Sequence, residues 1–300
     1  MSTSQQKAVG VERSARPSNP LASFIARRVA KAQESTASDT VLNTQAPLWR
    51  LLNDYYFRTE VTGWENLPDT PSLLIGIHAG ATLTLDTWTL QARWWERFGT
   101  ERRMHIAAHD VLLALPGLGD YFRSVGCIPA NRRAVTSTLA AGDDVAIYPG
   151  GEEDAMRNWR RRDEVVLAGR TGFIRQALRS QVPIVPVATS GGSDTVFVLS
   201  EGRWLANGLD KVFGLKDTLR GVTLPVISGF PFPLAVELLP AHLPLPAKIR
   251  TRLLEPIELD GDPERANDEP YVQKIYSEVE HVLQQGVNDL AKKRRLPIFF

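Results

Sequence analysis

Leu73-Leu74-Ile75-Gly76-Ile77-His78-Ala79-Gly80-Ala81-Thr82-Leu83-Thr84-Leu85-Asp86 is an apolar run that stops at a histidine and passes through two small residues into an amphipathic segment. The run predicts a buried strand. Leu83, Leu90, Trp94 and Phe98 then recur at helical spacing, which predicts a helix over about Thr82 to Phe98. Open α/β folds place their chemistry at the carboxyl ends of central strands. Ala79 and Gly80 leave space there beside His78, whose imidazole suits proton transfer near neutral pH. A structural histidine satisfied by its neighbours gives the same local pattern, so the rest of the chain has to decide.

Outward from this stretch, extended and helical patterns alternate. Met104 to Ala107, Gly126 to Pro129, Val145 to Tyr148, Pro183 to Ala188 and Lys248 to Leu254 read as strands. Helical patterns cover Val111 to Ser124 with a break at Pro116, Ala134 to Ala141, Gly169 to Ser180 and Tyr271 to Arg294. Such alternation predicts an α/β fold with a central, mostly parallel or mixed sheet flanked by helices. Residues 1–20 are polar and read as a disordered tail. Residues 21–60 read as amphipathic helices: Leu21 to Ala32 with a basic face, and Ala46 to Phe57 carrying interfacial aromatics. The main domain spans 61–260, and 261–300 supply a C-terminal helix packing on it.

Composition narrows the function. Net charge is +1, so no global field recruits nucleic acid. The single cysteine, Cys127, excludes a disulfide framework and points to a reducing compartment. No signal peptide is expected. The most apolar stretch, Val222 to Ala247, is long enough to span a bilayer, but prolines at 225, 231, 233, 240, 244 and 246 break it. It is expected to fold as an apolar surface that packs internally or lies partly on a membrane.

A second group of chemistry-bearing residues is Tyr148-Pro149-Gly150-Gly151-Glu152-Glu153-Asp154, also at a strand end. Glycines admit close backbone approach to a ligand. An adjacent carboxylate can fix an imidazole's tautomer and stabilise its protonated form. Asn131-Arg132-Arg133 follows another strand end, with Arg157 and Arg160 to Arg162 further along, and guanidinium forks suit phosphate. Gly-x-Ser-x-Gly, P-loop and Gly-x-Gly-x-x-Gly patterns are absent from the sequence. His105 and His109 lie four apart, but the strand pattern turns their rings differently, so no metal site is expected.

Taken in order, the His78 strand, Gly126 to Arg132 as Gly-x-x-Pro-x-x-Arg, Tyr148 to Glu152 and Val182 to Val187 resemble the four blocks of the lysophospholipid/glycerolipid acyltransferase superfamily. The nearest likeness is to the bacterial branch similar to monoacylglycerol and diacylglycerol acyltransferases. The resemblance implies transfer of a fatty acyl chain from acyl-CoA or acyl carrier protein to a glycerolipid or lysophospholipid hydroxyl, with no cofactor and no metal. It implies His78 as general base, Gly150 and Gly151 or the Gly80 turn at the oxyanion, and Asn131, Arg132, Arg133 and Arg157 toward phosphate. It further implies a peripheral place on the cytoplasmic face of a membrane. Two departures matter. The superfamily's aspartate five residues after the histidine is Leu83 here, and its Glu-Gly-Thr-Arg is Gly150-Gly151-Glu152-Glu153. The carboxylate partner stays open among Asp86, Glu152 and Asp154, with Glu152 ranked first because a strand-end loop needs no helix distortion, and Asp86 second. The alternatives are a lipid-binding or regulatory protein that kept the fold and lost activity, and a thioesterase-like hydrolase.

Overall fold

A computed structural model describes residues 37–213, 224–237 and 242–294. The expected tail and the basic helix Leu21 to Ala32 lie outside these residues, as do residues 222–223 and 238–241 of the proline-broken stretch. The chain enters through α1 (Asp39–Leu51), which runs on through a π turn to Tyr56, and then β1 (Glu60–Thr62). There follow β2 (Leu73–Gly76), α2 (Leu85–Phe98), β3 (Met104–Ala108), α3 (Asp110–Ala114), α4 (Leu118–Ser124) and β4 (Cys127–Pro129). Next come α5 (Arg132–Ala140), β5 (Asp144–Ile147), α6 (Gly151–Ala155), α7 (Gly172–Ser180) and β6 (Ile184–Ser190). The chain closes with β7 (Phe197–Ser200), α8 (Arg203–Phe213), β8 (Val226–Ser228), β9 (Ala235–Val236), β10 (Arg250–Leu253) and α9 (Glu269–Lys292).

Seven strands form the main sheet in the order β1-β10-β6-β2-β5-β3-β4. The block β6-β2-β5-β3-β4 is parallel throughout, and β10 joins it antiparallel to β6. The mixed α/β architecture is as expected. All four residues of β2 are buried, as a strand covered on both faces requires. Leu73 and Ile75 face α5, α7 and α9 through Val135, Leu139, Ile174, Leu178, Val279 and Leu283. Leu74 faces the other way, onto Leu90 and Trp94 of α2. The α9 helix buries Val272, Ile275, Val279, Leu283, Val287 and Leu290, the three-and-four spacing of one face.

The connections set the position of the chemistry. From β2 the chain crosses one face by α2 and reaches β3. From the adjacent β5 it crosses the opposite face by α7 and reaches β6 on the far side of β2. Neighbouring strands whose connections depart over opposite faces leave a crevice at their carboxyl ends. His78 follows β2 and Tyr148 follows β5, so both stand at that crevice.

Elements the sequence did not signal form a small antiparallel sheet, β7-β8-β9. Its Val198 and Ile227 pack with Val196 and with Ala81 of the loop after β2. Among the described residues, no helix is long and apolar enough to cross a membrane.

Candidate active site

The β2 strand ends at Gly76 rather than His78, and the eight residues up to α2 fold tightly. Gly80 (φ 89°), Ala81 (φ 53°) and Thr84 (φ 41°) adopt left-handed conformations around a 3-10 turn at Ala81–Leu83. For Ala81 and Thr84 this costs about 1–2 kcal/mol each. The loop is held by the Thr84 N–H on the Ala81 carbonyl (3.3 Å) and by burial of Ala81 against the small sheet.

The result of that turn is to fold Asp86, in the first turn of α2, back beneath the end of β2. Its Oδ1 accepts the Ala79 N–H at 2.9 Å and its Oδ2 lies 3.5 Å from His78 Nδ1, with the carboxylate only 1% exposed. Thr87 Oγ1 is 3.1 Å from the same ring nitrogen and donates to Asp86 Oδ2 at 3.4 Å. A hydroxyl that donates to the carboxylate can accept from Nδ1–H. That arrangement fixes the proton on Nδ1 and leaves the Nε2 lone pair for chemistry. The start of α2 also favours a carboxylate through the helix dipole.

Beneath the imidazole lies Tyr148, stacked at 4.1 Å between centroids with 6° between planes. Gly76 permits this, since a Cβ there would sit 2.6 Å from the tyrosine ring. Burial, with Asp86 adding to it, pushes the Tyr148 hydroxyl far above the ordinary phenol range, so it stays protonated. The His78 side chain keeps 19% of its surface exposed, the opening that a substrate needs.

The backbone of His78 is pinned separately. Asp154 Oδ2 accepts its N–H, and Arg157 Nη2 donates to its carbonyl at 3.1 Å. Asp154 Oδ1 pairs with Arg157 Nη1, and both side chains are buried. Arg157 was expected among the phosphate ligands. The structure corrects this, because its guanidinium is sealed inside and committed to Asp154 and the His78 carbonyl, and burial lowers its pKa to about 10.

The remaining expected residues fall in three places. Glu152 is exposed on α6, and the carboxylate that meets the ring is Asp86 instead. The Gly151 N–H bonds to the Tyr148 carbonyl at 3.2 Å, while a Cβ on Gly150 would strike the Val166 carbonyl at 2.0 Å and one on Gly151 would meet Arg170 Nη1 at 2.5 Å. The close approach that these glycines allow is therefore to the chain itself. Asn131 caps α5 by accepting the Ala134 N–H at 3.0 Å, and Arg132 and Arg133 are exposed at the start of that helix. They follow β4, three strands from β2, roughly 14 Å away by strand spacing. His105 bonds the Gly126 carbonyl (3.1 Å) and Asp143 (3.2 Å).

Sequence reasoning gave no role to Thr87 or to the ring of Tyr148, and only a second place to Asp86. The signal that could have promoted Asp86 is Gly80, which takes the first left-handed position (φ 89°) of the turn that absorbs the extra spacing.

Comparison with known proteins places this geometry. Residues 58–190 match the acyltransferase family model. An uncharacterized protein of Mycobacterium tuberculosis is 30% identical over 256 residues, covering 85% of this chain and 67% of its own length. Diacylglycerol O-acyltransferase 2 of Xenopus laevis is 26% identical over 190 residues, covering 57% of this chain and 50% of its own. The crystal structure of the 1-acyl-sn-glycerophosphate (LPA) acyltransferase of Thermotoga maritima superposes with a TM-score of 0.45 and 18% identity, over 92% of this chain and 90% of that one. The chain thus spans about two thirds of the mycobacterial protein and half of the amphibian one. The family match runs from just before β1 to the last residue of β6 and contains His78, Asp86, Thr87, Tyr148, Asp154 and Arg157. The chain belongs to the acyltransferase family, within the glycerolipid acyltransferase superfamily that its four motif blocks resemble.

Proposed function

We propose that this acyltransferase carries a fatty acyl chain from an acyl thioester, on CoA or acyl carrier protein, to a glycerolipid hydroxyl, with His78 as general base. The observation that supports this most is the ring itself. Its Nδ1 faces Thr87 and the buried Asp86, and its other nitrogen is left for a substrate. In the reaction, Nε2 takes the hydroxyl proton as the acceptor oxygen attacks the thioester carbonyl. Asp86 stabilises the imidazolium while the tetrahedral oxyanion exists. Collapse breaks the carbon–sulfur bond, and the proton passes to the departing thiolate, giving ester and free thiol. Positioned proton transfer of this kind contributes about 10²–10⁴-fold. Because the Gly151 N–H is spent on Tyr148, the oxyanion would fall to the backbone of the Gly80 turn.

Arg132 and Arg133 suit a phosphate remote from the reacting hydroxyl, such as one on the nucleotide end of CoA, better than a phosphate adjacent to that hydroxyl. A neutral glycerolipid acceptor follows as the preferred reading. The bilayer would meet an apolar surface beside the site. Phe230, Phe232, Leu234, Val236 and Leu243 are exposed there, and the Tyr56 hydroxyl on the Pro244 carbonyl (2.6 Å) ties them to exposed Leu48, Leu51 and Tyr55 of the first helix. Such a surface belongs at a lipid interface, and on the cytoplasmic side, where CoA thioesters are available. The inactive lipid-binder reading draws on Leu83 in the aspartate position and on Ile77 where the superfamily often has asparagine, and Asp86 beside the ring speaks against the first of these.

The test is free-thiol release from palmitoyl-CoA with monoacylglycerol, diacylglycerol and lysophosphatidate as acceptors, with products identified by mass spectrometry. Acceptor-dependent thiol release is expected, abolished in a folded His78→Ala variant. Turnover by that variant near the wild-type rate, or thiol release that ignores the acceptor, would overturn the reading.

A further inference from the structure

A second histidine–carboxylate pair lies beside the loop that brings Asp86 to His78. Thr82, at the centre of the 3-10 turn, donates both its hydroxyl and its N–H (3.3 Å) to Glu237 Oε1. The other oxygen of Glu237 bonds His242 Nδ1. Both side chains are buried, Glu237 at 1% and His242 at 6% exposure. The Glu237 N–H, immediately after β9, is held by the Pro225 carbonyl at 2.9 Å, so the carboxylate stands on a fixed piece of the small sheet. His242 Nε2 is buried without a hydrogen-bond partner among the described residues.

We propose that Glu237 and His242 are positioning residues. By holding Thr82 they fix the left-handed turn between His78 and Asp86, and so hold the Asp86 carboxylate at the imidazole. The proposal rests on the reading of His78 and Asp86 given above and adds a dependence on residues about 160 positions away in the chain.

The physical argument is one of balance. A buried carboxylate is tolerated only when its oxygens are well served by donors, and here three donors converge on it, two of them from Thr82. Gly80 is backed by Thr195 and Gly192, and Ala81 is packed in the apolar cluster. Those contacts are non-directional, and the Thr84–Ala81 and Ala79–Asp86 bonds lie within the loop and do not anchor it to the small sheet. The paired donors of Thr82 on one carboxylate oxygen supply the direction. His242, bonded to the second oxygen, stops the carboxylate from rotating away. Burial raises the Glu237 pKa, but the bonds from His242 and Thr82 outweigh it and hold the group below the ordinary glutamate range, so it is an anion at neutral pH.

A displaced catalytic group loses rate steeply, about a hundredfold for a shift near 1 Å. The variants are Thr82→Val, which removes one hydroxyl at constant shape, Thr82→Ser, which restores it, and Glu237→Gln, which cannot accept from His242 and Thr82 together with the same strength. They are compared with wild type and His78→Ala. Two readouts apply: kcat and KM with palmitoyl-CoA and the best acceptor of the panel, and amide hydrogen exchange over residues 77–87. Thr82→Val and Glu237→Gln are expected to lower kcat about 10- to 100-fold with KM nearly unchanged and to speed exchange in that segment, with Thr82→Ser close to wild type. Wild-type kcat in both variants while His78→Ala is inactive overturns the positioning role alone; an active His78→Ala overturns the underlying reading. Should Glu237→Gln not fold, Thr82→Val carries the test, and unchanged exchange at 77–87 in that variant overturns the proposal without recourse to activity.

Discussion

Replacing Asp86 by asparagine tests the site most directly, because it removes a charge and leaves nearly every contact in place. The amide oxygen can still accept the Ala79 N–H, now 2.9 Å from Oδ1. The backbone turn is therefore retained and the fold should lose no more than about 1 kcal/mol. The NH₂ group then faces His78 Nδ1 from the position of Oδ2, at 3.5 Å. A donor there favours the tautomer with its proton on Nε2, the nitrogen that must be free. The lost charge sets the ceiling: unit charges 3.5 Å apart at an effective dielectric of about 20 attract by roughly 5 kcal/mol. At about 1.4 kcal/mol per decade that is some three to four decades in rate. Thr87 remains at 3.1 Å and can rotate to support the ring, so the expected fall in kcat is about 10²–10³-fold. The assay is thiol release from palmitoyl-CoA at saturating acceptor, alongside thermal unfolding to show a folded variant. Glu152→Gln, at an exposed position, should stay within about threefold of wild type, a surface change of little consequence. A folded Asp86→Asn with near-normal kcat, or a crippled Glu152→Gln, refutes the assignment of the partner carboxylate.

Arg157→Met should unfold the protein easily rather than raise KM, since it strands the buried Asp154 charge, a loss of about 3–5 kcal/mol; unchanged thermal stability with a raised KM for acyl-CoA would return Arg157 to the substrate. Arg132→Ser with Arg133→Ser should raise KM for palmitoyl-CoA about tenfold in a salt-dependent way, leaving kcat and melting temperature in place, and equal KM values at low salt contradict a phosphate role. Glu237 has a folded pKa held below the glutamate value, so its contribution to stability is fully present above about pH 4.3 and is lost as the pH falls through the depressed value. Denaturant unfolding of Glu237→Gln between pH 3 and 7 should therefore show a shallower acid loss than wild type, and parallel curves exclude the linkage. Phe232→Ser with Leu234→Ser should weaken flotation with phosphatidylcholine–phosphatidylglycerol vesicles about a hundredfold, some 3 kcal/mol of apolar transfer, and unchanged flotation removes that surface from the membrane.

What the sequence discloses and what it hides follow from the range of the interactions involved. β2 and α9 are legible because burial on both faces, or on one helical face, writes itself into neighbouring residues. The small sheet is not, since β8 and β9 have three and two residues, too short for any period to appear. Arg157 resembles the exposed arginines after it until Asp154 is seen beneath the His78 backbone. The choice of partner carboxylate fails for a related reason: spacing along the chain ranks Glu152 ahead of Asp86, while the deciding variable is a left-handed turn at Ala81 and Thr84, residues with no propensity for it. Position and the bonds each carboxylate already makes resolve the ranking. Asp154 gives one oxygen to the His78 N–H and the other to Arg157, and Glu152 lies at the surface. Asp86 spends one oxygen on Ala79 and has its second directed at the ring. Among several acids near a histidine, the one suited to support it is the one that lies within reach of the ring and whose other bonds leave an oxygen for it, and both conditions exist only once the loop has folded.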